Sequence, residues 1–469
     1  MASAPSLALR SLLTGVLRET GLQSPLQRIS GATSPVRALA IAAAAKRAGG
    51  TVLLVVPTDA DIESTVGDIC FFLAVLEGSA TAAVERQVLP FPSTQVDPYR
   101  GFQPHLKVAS ARARVLHSLA NGSARVVVAS AASLLTKVPD PATILLSSCD
   151  ITPGVDIDPV VLANTLVLGG YEPADPVDAH GEFGRRGGIL DVFPAGEELP
   201  IRIEFIGDTV ESIRRFDPGT QRSVETLDRF GIVPVREGQS EIKSSIFEFL
   251  RTRDSQVWVA EPTDVEANVA GGWEQVGTSY ADALERTKTP TLIAPPTELL
   301  LAPDEVTAAM GHAVVVEELL IGDQEAGTRD QGQLSVSVQP VASFHGRIPD
   351  WIADVKTAQA NGDFVVFVAG SHGRAERTVE LLKDYDLRAI MASDAGDVVR
   401  GAVMVAEGWL SKGFRLRSAE GSSLLIYAET DVFDEERRKT GSGKKRSASA
   451  AFLSDLRDLK VGDLIVHVD

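Results

Sequence analysis

The most informative segment of the chain is residues 180–222, HGEFGRRGGILDVFPAGEELPIRIEFIGDTVESIRRFDPGTQR. Within it, apolar residues at 201, 203 and 205 alternate with Arg202 and Glu204, a period of two that is typical of a half-buried strand. A second apolar run at 189–193 and turn-forming residues at 194–196 and 217–220 lie on either side. The segment therefore predicts short antiparallel strands joined by tight turns.

Arginines are prominent in this segment. Arg185 and Arg186 lie between glycines, where the backbone can bend, and Arg202, Arg214 and Arg215 follow on later strands. A small sheet that gathers arginines on one exposed face can bind carboxylates or phosphates. The alternative is a solvated face on which each arginine pairs with a nearby acidic residue. The pattern alone leaves both open.

Composition and charge limit the class of protein. A chain of 469 residues suggests about three domains, and 44% of the residues are hydrophobic, enough for each domain to bury a core. Asp and Glu outnumber Lys and Arg by 63 to 45, which gives a net charge of −18. Because so acidic a chain is a poor general binder of nucleic acid, any DNA contact is expected to be local.

Cysteine use and hydropathy predict the compartment. Cys70 and Cys149 lack metal-ligand spacing, which predicts a reducing compartment with no disulfide framework and no metal site. The longest apolar run near the start, residues 38–45, is too short to span a bilayer, and no cleavable signal pattern precedes it. The sequence therefore predicts a cytoplasmic protein without membrane contact.

Up to residue 137 the chain alternates strands and helices. Continuous apolar runs at 51–56 and 126–129 predict buried strands. Apolar residues every three or four positions predict helices at 61–76 and 107–119. This rhythm is typical of a doubly wound parallel sheet.

Such a sheet invites a search for a phosphate-binding loop, and residues 31–38 occupy the expected place. Gly31 opens the loop, but Val36, Arg37 and Ala38 replace the required glycine, lysine and Ser or Thr. Valine blocks close approach of the backbone to phosphate, and alanine has no oxygen for magnesium. The segment is predicted to be a degenerate nucleotide loop, so the chain is expected to have no catalytic residue, nucleotide or metal.

The α/β rhythm is interrupted and then resumes. A helix at 158–167, presenting Val161, Leu162 and Leu166, opens an inserted α+β unit together with the arginine segment. The later predicted elements are strands at 256–260, 290–294, 313–316, 364–368, 403–406 and 424–427, a helix at 374–382 and a solvated loop at 323–332. Glu261 follows the first of these strands, where a nucleotide site would place an aspartate for magnesium.

The last part of the chain differs in composition. Residues 434–450 carry cationic side chains among Gly and Ser without apolar periodicity, which predicts a flexible basic linker that is solvated or touches DNA. A helix is predicted at 452–460 and a strand at 461–469. Because a strand at the end of the chain would be an unpaired edge, the sequence is expected to be a fragment of a longer protein.

Several motifs resemble the N-terminal region of bacterial transcription-repair coupling factors, a region similar to excinuclease B. They are GEFGRRGGILDVFP at 181–194, IRIEF at 201–205, FDPGTQRS at 216–223, ARVVVASAASLL at 124–135 and VGDLIVHVD at 461–469. The resemblance covers nearly the whole chain. The degenerate loop also fits, because that family keeps the excinuclease-like fold without its nucleotide site.

The resemblance implies an α/β fold: a degenerate RecA-like parallel-sheet domain with an inserted small α+β domain, followed by a second small α/β domain. The implied divisions are a leader (1–24), the excinuclease B-like domain (25–137 and 221–348), an inserted domain that docks on excinuclease A (138–220), a structural domain (349–433), the basic linker (434–450) and the truncated start of an RNA-polymerase-interacting domain (451–469, near Asp455). The motor that hydrolyses ATP with magnesium and moves on double-stranded DNA would lie beyond Asp469.

Residue by residue, the resemblance implies a docking contact with excinuclease A at Arg186. Arg185, Arg202 and Phe193 lie on the same ribbon and complete the implied site.

Two positions depart from the family's pattern. Gly184 stands directly after Phe183, where excinuclease B has an arginine, and Glu172-Pro173 follow Tyr171 in place of the usual arginine. The family's docking arginines are therefore not all present.

Two functions remain open on the sequence. The first is a catalytically silent repair scaffold that recruits excinuclease and restrains the downstream motor. The second is an active nucleotide-dependent DNA repair enzyme of the excinuclease B or helicase type. The three replacements in the degenerate nucleotide loop weigh against the second.

Overall fold

The computed structural model describes residues 7–194, 197–237, 243–251, 254–287, 293–319, 329–330, 332–417 and 423–433. The strands in these residues are β1 (Arg28–Ser30), β2 (Val52–Val56), β3 (Val88–Phe91), β4 (Val126–Ser130), β5 (Cys149–Ile151), β6 (Glu172–Pro173), β7 (Glu182–Arg186), β8 (Ile189–Val192), β9 (Ile201–Ile206), β10 (Thr209–Phe216), β11 (Ser223–Thr226), β12 (Phe230–Ile232), β13 (Gln256–Ala260), β14 (Val314–Glu317), β15 (Arg329–Asp330), β16 (Gln333–Ser335), β17 (Val338–Pro340), β18 (Phe364–Ala369), β19 (Ala389–Met391), β20 (Val403–Glu407), β21 (Phe414–Arg417) and β22 (Ser423–Ala428). The helices are α1 (Leu7–Thr20), α2 (Ser34–Arg47), α3 (Ala60–Glu77), α4 (Thr81–Glu85), α5 (Leu106–Asn121), α6 (Ala131–Leu135), α7 (Pro141–Leu146), α8 (Pro159–Leu168), α9 (Pro262–Arg286), α10 (Pro296–Leu299), α11 (Pro303–Ala309), α12 (Ile348–Ala360), α13 (His372–Asp384) and α14 (Glu429–Val432). None of the described helices is long and apolar enough to cross a membrane.

The predicted doubly wound parallel sheet is confirmed. Its eight strands run in the order β15-β16-β1-β14-β13-β2-β4-β3, and all are parallel except β15. Along β2, residues 52, 54 and 56 face one core and residues 53 and 55 face the other. A strand covered on both faces is apolar at every position, which is why this run reads as continuous.

Helices cover both faces of this sheet. The helices α2 and α3 pack on one face, and α5, α6 and α9 pack on the other. The first helix, α1, lies within residues predicted only as a leader, yet it contributes Leu9 and Leu13 to the same core as α2 and α3. Residues 7–20 of the predicted leader are therefore part of the folded body.

The inserted α+β unit contains two antiparallel sheets. The larger runs in the order β11-β10-β9-β8-β7-β6, with only the short β6–β7 pair parallel, and the smaller pairs β12 with β5. Because β11 and β12 belong to these sheets, the unit continues past the predicted boundary at residue 220. In α8, Leu162 and Leu166 are buried as predicted. The prediction that Val161 lies on the same apolar face is wrong, because Val161 is 57% exposed.

The unit joins the body at a narrow point. Val138 and Ser244 exchange backbone hydrogen bonds of 2.9 and 3.0 Å, so the chain leaves and returns at adjacent positions. Next to this junction, fully buried Arg112 of α5 pairs with Glu237 and donates to the Pro92 carbonyl at 2.7 Å. This contact fixes the returning segment against the body.

The third unit is a six-stranded sheet in the order β17-β21-β22-β18-β20-β19. Its strands at 364–369, 403–407 and 423–428 and its helix α13 confirm the predicted elements. The α/β character is as expected, but the unit is not separate. One face of its sheet packs on α12 and α13, and the other shares a core with α2 and α3 of the first sheet.

Polar and steric contacts reinforce the shared core. Both carboxylate oxygens of buried Asp68 in α3 accept hydrogen bonds from Ser411, one from its backbone N–H at 2.6 Å and one from its hydroxyl at 2.5 Å. Gly67 lies directly under the ring of Trp409, where a Cβ atom would collide with the indole. Glycine at this position allows the third unit to approach α3.

Some predictions fall on other parts of the chain. The basic linker at 434–450 and the segment at 451–469, including the helix at 452–460 and the terminal strand, lie outside the described residues. The predicted strand at 290–294 and the loop at 323–332 lie mostly outside them.

Candidate docking surface and degenerate nucleotide loop

Strand alternation gives the six-stranded sheet an inner and an outer face. Leu190, Ile203 and Ile213 are fully buried on the inner face. On the outer face, Asp191, Arg202 and Arg214 stand opposite one another on neighbouring strands. The next row of the outer face contains Arg186, Ile189 and Glu204. The predicted arginine face therefore exists, with acidic residues placed among the arginines.

Arg202 is committed to the sheet itself. Its Nε and Nη2 atoms donate to the two oxygens of Asp191, both at 2.8 Å, and Nη2 also donates to Gln221 at 3.0 Å. Its guanidinium lies 4.4 Å from the centre of the Phe216 ring. Hydrogen bonding to Asp191 raises the pKa of Arg202. Only 18% of the side chain is exposed. Arg202 therefore holds Asp191 and Gln221 in place on the outer face.

Arg186 is the arginine of the implied site that is exposed on the outer face of the sheet. Its side chain is 68% exposed and forms a two-point contact with Asp175, which is 60% exposed. Arg185 points to the opposite side of the ribbon by strand parity, and it is exposed and forms no ion pair with the described residues. The two adjacent arginines thus cannot contact one flat partner surface together.

The other arginines of the ribbon also have acidic partners. Arg214 lies 3.3 Å from Glu204, and Arg215 bridges Glu197 and Glu225. Local pairing, the alternative left open by the sequence, therefore holds for Arg186, Arg202, Arg214 and Arg215, whereas no ion pair is found for Arg185 among the described residues.

Phe193 does not lie on the accessible face. It is only 6% exposed and its ring centre is 4.1 Å from that of His180. Exposed apolar residues of the outer face include Ile206, 66% exposed, Val224, 62% exposed, and Ile189, 37% exposed. In β9, Ile206 points in the same direction as Arg202 because the two residues are four positions apart. This alternation could have predicted from the sequence that Ile206 lies on the arginine face.

The first departure from the family pattern, Gly184, has a structural role, and so does Tyr171, which precedes the second. A Cβ atom on Gly184 would lie 2.5 Å from the carbonyl oxygen of Ala174, so glycine lets the β6–β7 loop pack against β7. Tyr171 is buried and donates its hydroxyl to the Val233 carbonyl at 2.9 Å, and burial raises its pKa. Tyr171 therefore anchors the end of the unit.

The degenerate nucleotide loop lies between β1 and α2, as its position in the sequence predicts. Val36 and Ala38 are fully buried in the first turn of α2, and Arg37 is 6% exposed. Arg37 reaches Glu261, at 3.5 Å, and Ser34, at 3.3 Å. Burial lowers the pKa of Arg37 and raises that of Glu261.

This ion pair joins the two positions that would serve a nucleotide. Arg37 stands in the place of the phosphate-binding lysine, and Glu261 directly follows β13, in the place of the metal-binding aspartate. The residues present therefore do not fit Mg-ATP. Among the residues that the structure describes, no three His, Cys, Asp or Glu side chains are placed to hold a metal ion.

A second strand–loop–helix junction also pairs an arginine with a carboxylate of the chain. Between β18 and α13, the backbone N–H of Gly370 donates to Glu429 at 2.7 Å, and Arg374 donates to the other oxygen of Glu429 at 2.6 Å. Glu429 directly follows β22, the parallel neighbour of β18. The carboxylate of Glu429 therefore lies at the start of α13, bound by these two donors.

The arginine ribbon lies within a known type of domain. Residues 149–237 match the family model described as the UvrB interaction domain, and this range contains both antiparallel sheets of the inserted unit. Over most of its length the chain is similar to transcription-repair coupling factors. It is 27% identical over 444 residues to the protein of Bacillus subtilis, an alignment that covers 82% of this chain and 37% of that protein. The identity is 26% over 482 residues with the protein of Myxococcus xanthus (87% of this chain, 39% of that protein) and 27% over 504 residues with that of Mycobacterium tuberculosis (92% and 39%). The resemblance carried by the motifs is thereby confirmed. The chain spans about two-fifths of the length of these curated relatives.

Proposed function

We propose that this chain is the recruitment and regulatory module of a transcription-repair coupling factor, and that the outer face of its six-stranded sheet docks on excinuclease A. The observation that carries the proposal is Arg186. Its guanidinium is exposed on the outer face of the matched domain, opposite the exposed apolar residue Ile189 and on the same face as Ile206. A cation next to apolar area is the composition typical of an interface anchor.

The other functions belong to regions beyond the docking sheet. In this proposal, RNA polymerase binds through the domain that starts near Asp455. ATP, magnesium and double-stranded DNA bind to motor domains beyond Asp469, which couple release of stalled polymerase to nucleotide excision repair in the cytoplasm. This chain supplies no catalytic group, and the Arg37–Glu261 pair argues against the alternative of a nucleotide-dependent enzyme.

The test is the affinity of Arg186→Ala for excinuclease A. Truncating a central charged anchor commonly costs about 2 kcal/mol or more, so the affinity should fall well over tenfold. Surface plasmon resonance with the full chain measures the affinity, and thermal melting checks the fold.

Arg229→Ala is a matched control. Arg229 is 67% exposed and pairs with exposed Asp150, much as Arg186 pairs with Asp175, but it lies outside the six-stranded sheet. Equal affinities of the two variants, or a loss in Arg186→Ala that follows a collapse in melting temperature, would refute the docking role.

A further inference from the structure

The loop between β6 and β7 places a carboxylate on the proposed docking arginine. Arg186 Nε donates to Asp175 Oδ2 at 2.9 Å, and Arg186 Nη2 contacts the other carboxylate oxygen. The guanidinium therefore already holds a carboxylate in the fork geometry that a partner's Asp or Glu would use.

The loop that carries Asp175 is seated on the sheet. Its backbone donates from Glu172 to the Gly181 carbonyl at 2.9 Å and from Ala174 to the Phe183 carbonyl at 2.8 Å. The Ala174 carbonyl approaches Gly184 so closely that any Cβ there would collide with it. Asp175 thus reaches Arg186 because position 184 is a glycine.

We propose that Asp175 is a built-in competitor for Arg186, which lowers the affinity of the docking sheet for an acidic partner surface. The inference rests on the proposed docking function. A partner carboxylate must displace Asp175 or approach beside its negative charge. Both residues of the pair are exposed, so the pair is weak and the competition is reversible.

The primary test is Asp175→Asn in the full chain. Removing the charge frees Arg186 and removes a like charge facing the partner, so the Kd for purified excinuclease A should fall about two- to fivefold, the range of an exposed ion pair. The same substitution in an Arg186→Ala background should give no gain. Asp178→Asn is the matched control, because Asp178 is an exposed acid of the same loop and no arginine contact is found for it among the described residues.

A second variant tests the geometry. Gly184→Ala must displace the Ala174 carbonyl and with it Asp175, so it should also tighten binding and should add little to Asp175→Asn. Phenylglyoxal labelling of Arg186, followed by mass spectrometry, reports the pairing without any partner and should be faster in Asp175→Asn.

The outcomes separate the two proposals. If the unmodified chain does not bind excinuclease A, the docking function fails and the competition with it. If the chain binds but Asp175→Asn leaves the Kd unchanged or raises it, only the competition is overturned. An unchanged labelling rate of Arg186 would also overturn it.

Discussion

Two arginines of one motif have different physical roles. Arg202 is mostly buried, holds Asp191 at two points and lies against Phe216, whereas Arg186 is mostly exposed and meets only Asp175 among the described residues. A hydrogen-bonded charge pair removed from water contributes to the free energy of unfolding, but an exposed pair contributes little. Arg202 is therefore a positioning residue, and Arg186 can exchange partners.

We expect Arg202→Ala to destabilise the chain by about 1.5–3 kcal/mol, the range for hydrogen bonds to charged groups, because Asp191 would keep its charge in a half-buried place without a partner. Arg186→Ala should cost under about 1 kcal/mol. Arg202→Lys should recover only part of the loss, since an ammonium cannot form the fork. Urea unfolding at pH 7 compares the three variants, and similar costs for Arg202→Ala and Arg186→Ala would contradict this division of roles.

Among the elements, α3 has an unusual position. It packs beside α2 on the first sheet and also lies under the sheet of the third unit. Asp68 is buried at that contact, and burial raises its pKa to about 7. Its hydrogen bonds from Ser411 oppose the shift but do not outweigh the loss of water.

This carboxyl should make stability fall as pH rises. The folded-state pKa is higher than that of an unfolded Asp, about 3.9, so the folded state binds the extra proton. The stabilisation is complete below about pH 4 and is lost as pH rises through about 7. Each unit of pKa corresponds to about 1.4 kcal/mol, so Asp68→Asn should gain about 2–3 kcal/mol relative to the unmodified chain between pH 5 and pH 8, by urea unfolding.

Glu63→Gln provides the control for that experiment. Glu63 is an exposed acid on the same helix, so the substitution makes the same change in net charge. Asp68 would not be the cause if Asp68→Asn left the pH dependence of stability unaltered. The same conclusion would follow if Glu63→Gln changed that pH dependence equally.

Sequence patterns predicted most elements but not how the units meet. The apolar runs at β2, β4 and β18 were predictable because buried parallel strands are apolar at every position. The shared core was not, because residues 68–76 of α3 are buried all round and periodicity does not say which neighbour covers each face. Val161 was misassigned for a related reason: α8 has hydrophobic residues on its exposed side as well.

The candidate sites were predictable to a similar extent. The replacements at Val36, Arg37 and Ala38 predict a degenerate nucleotide loop, and the motif predicts a docking role for Arg186. The partners of these residues, Glu261 and Asp175, lie 224 and 11 positions away in the sequence. Only the folded chain brings them together. The low exposure of Phe193 was not predictable either, because this residue lies just beyond the end of β8 and is covered beside His180.

At the scale of the whole molecule, both α/β units pair a carboxylate that directly follows a strand with an arginine at the start of a helix: Glu261 with Arg37, and Glu429 with Arg374. We therefore expect no saturable binding of Mg-ATP to the chain by isothermal titration. A phosphate-loop ATPase measured under the same conditions serves as the positive control. Binding in the micromolar range would show that the Arg37–Glu261 pair opens to admit a nucleotide.

The backbone bridge between Val138 and Ser244 has a consequence for how such a protein changes over generations. No strand of the large sheet pairs with a strand of the inserted unit among the described residues, and the two ends of the insertion meet at one point. The inserted unit can therefore accept substitutions on its outer face independently of the strand pairing that holds the large sheet together. Under the proposed docking function, a substitution such as the glycine at 184 would change recognition without disturbing that sheet.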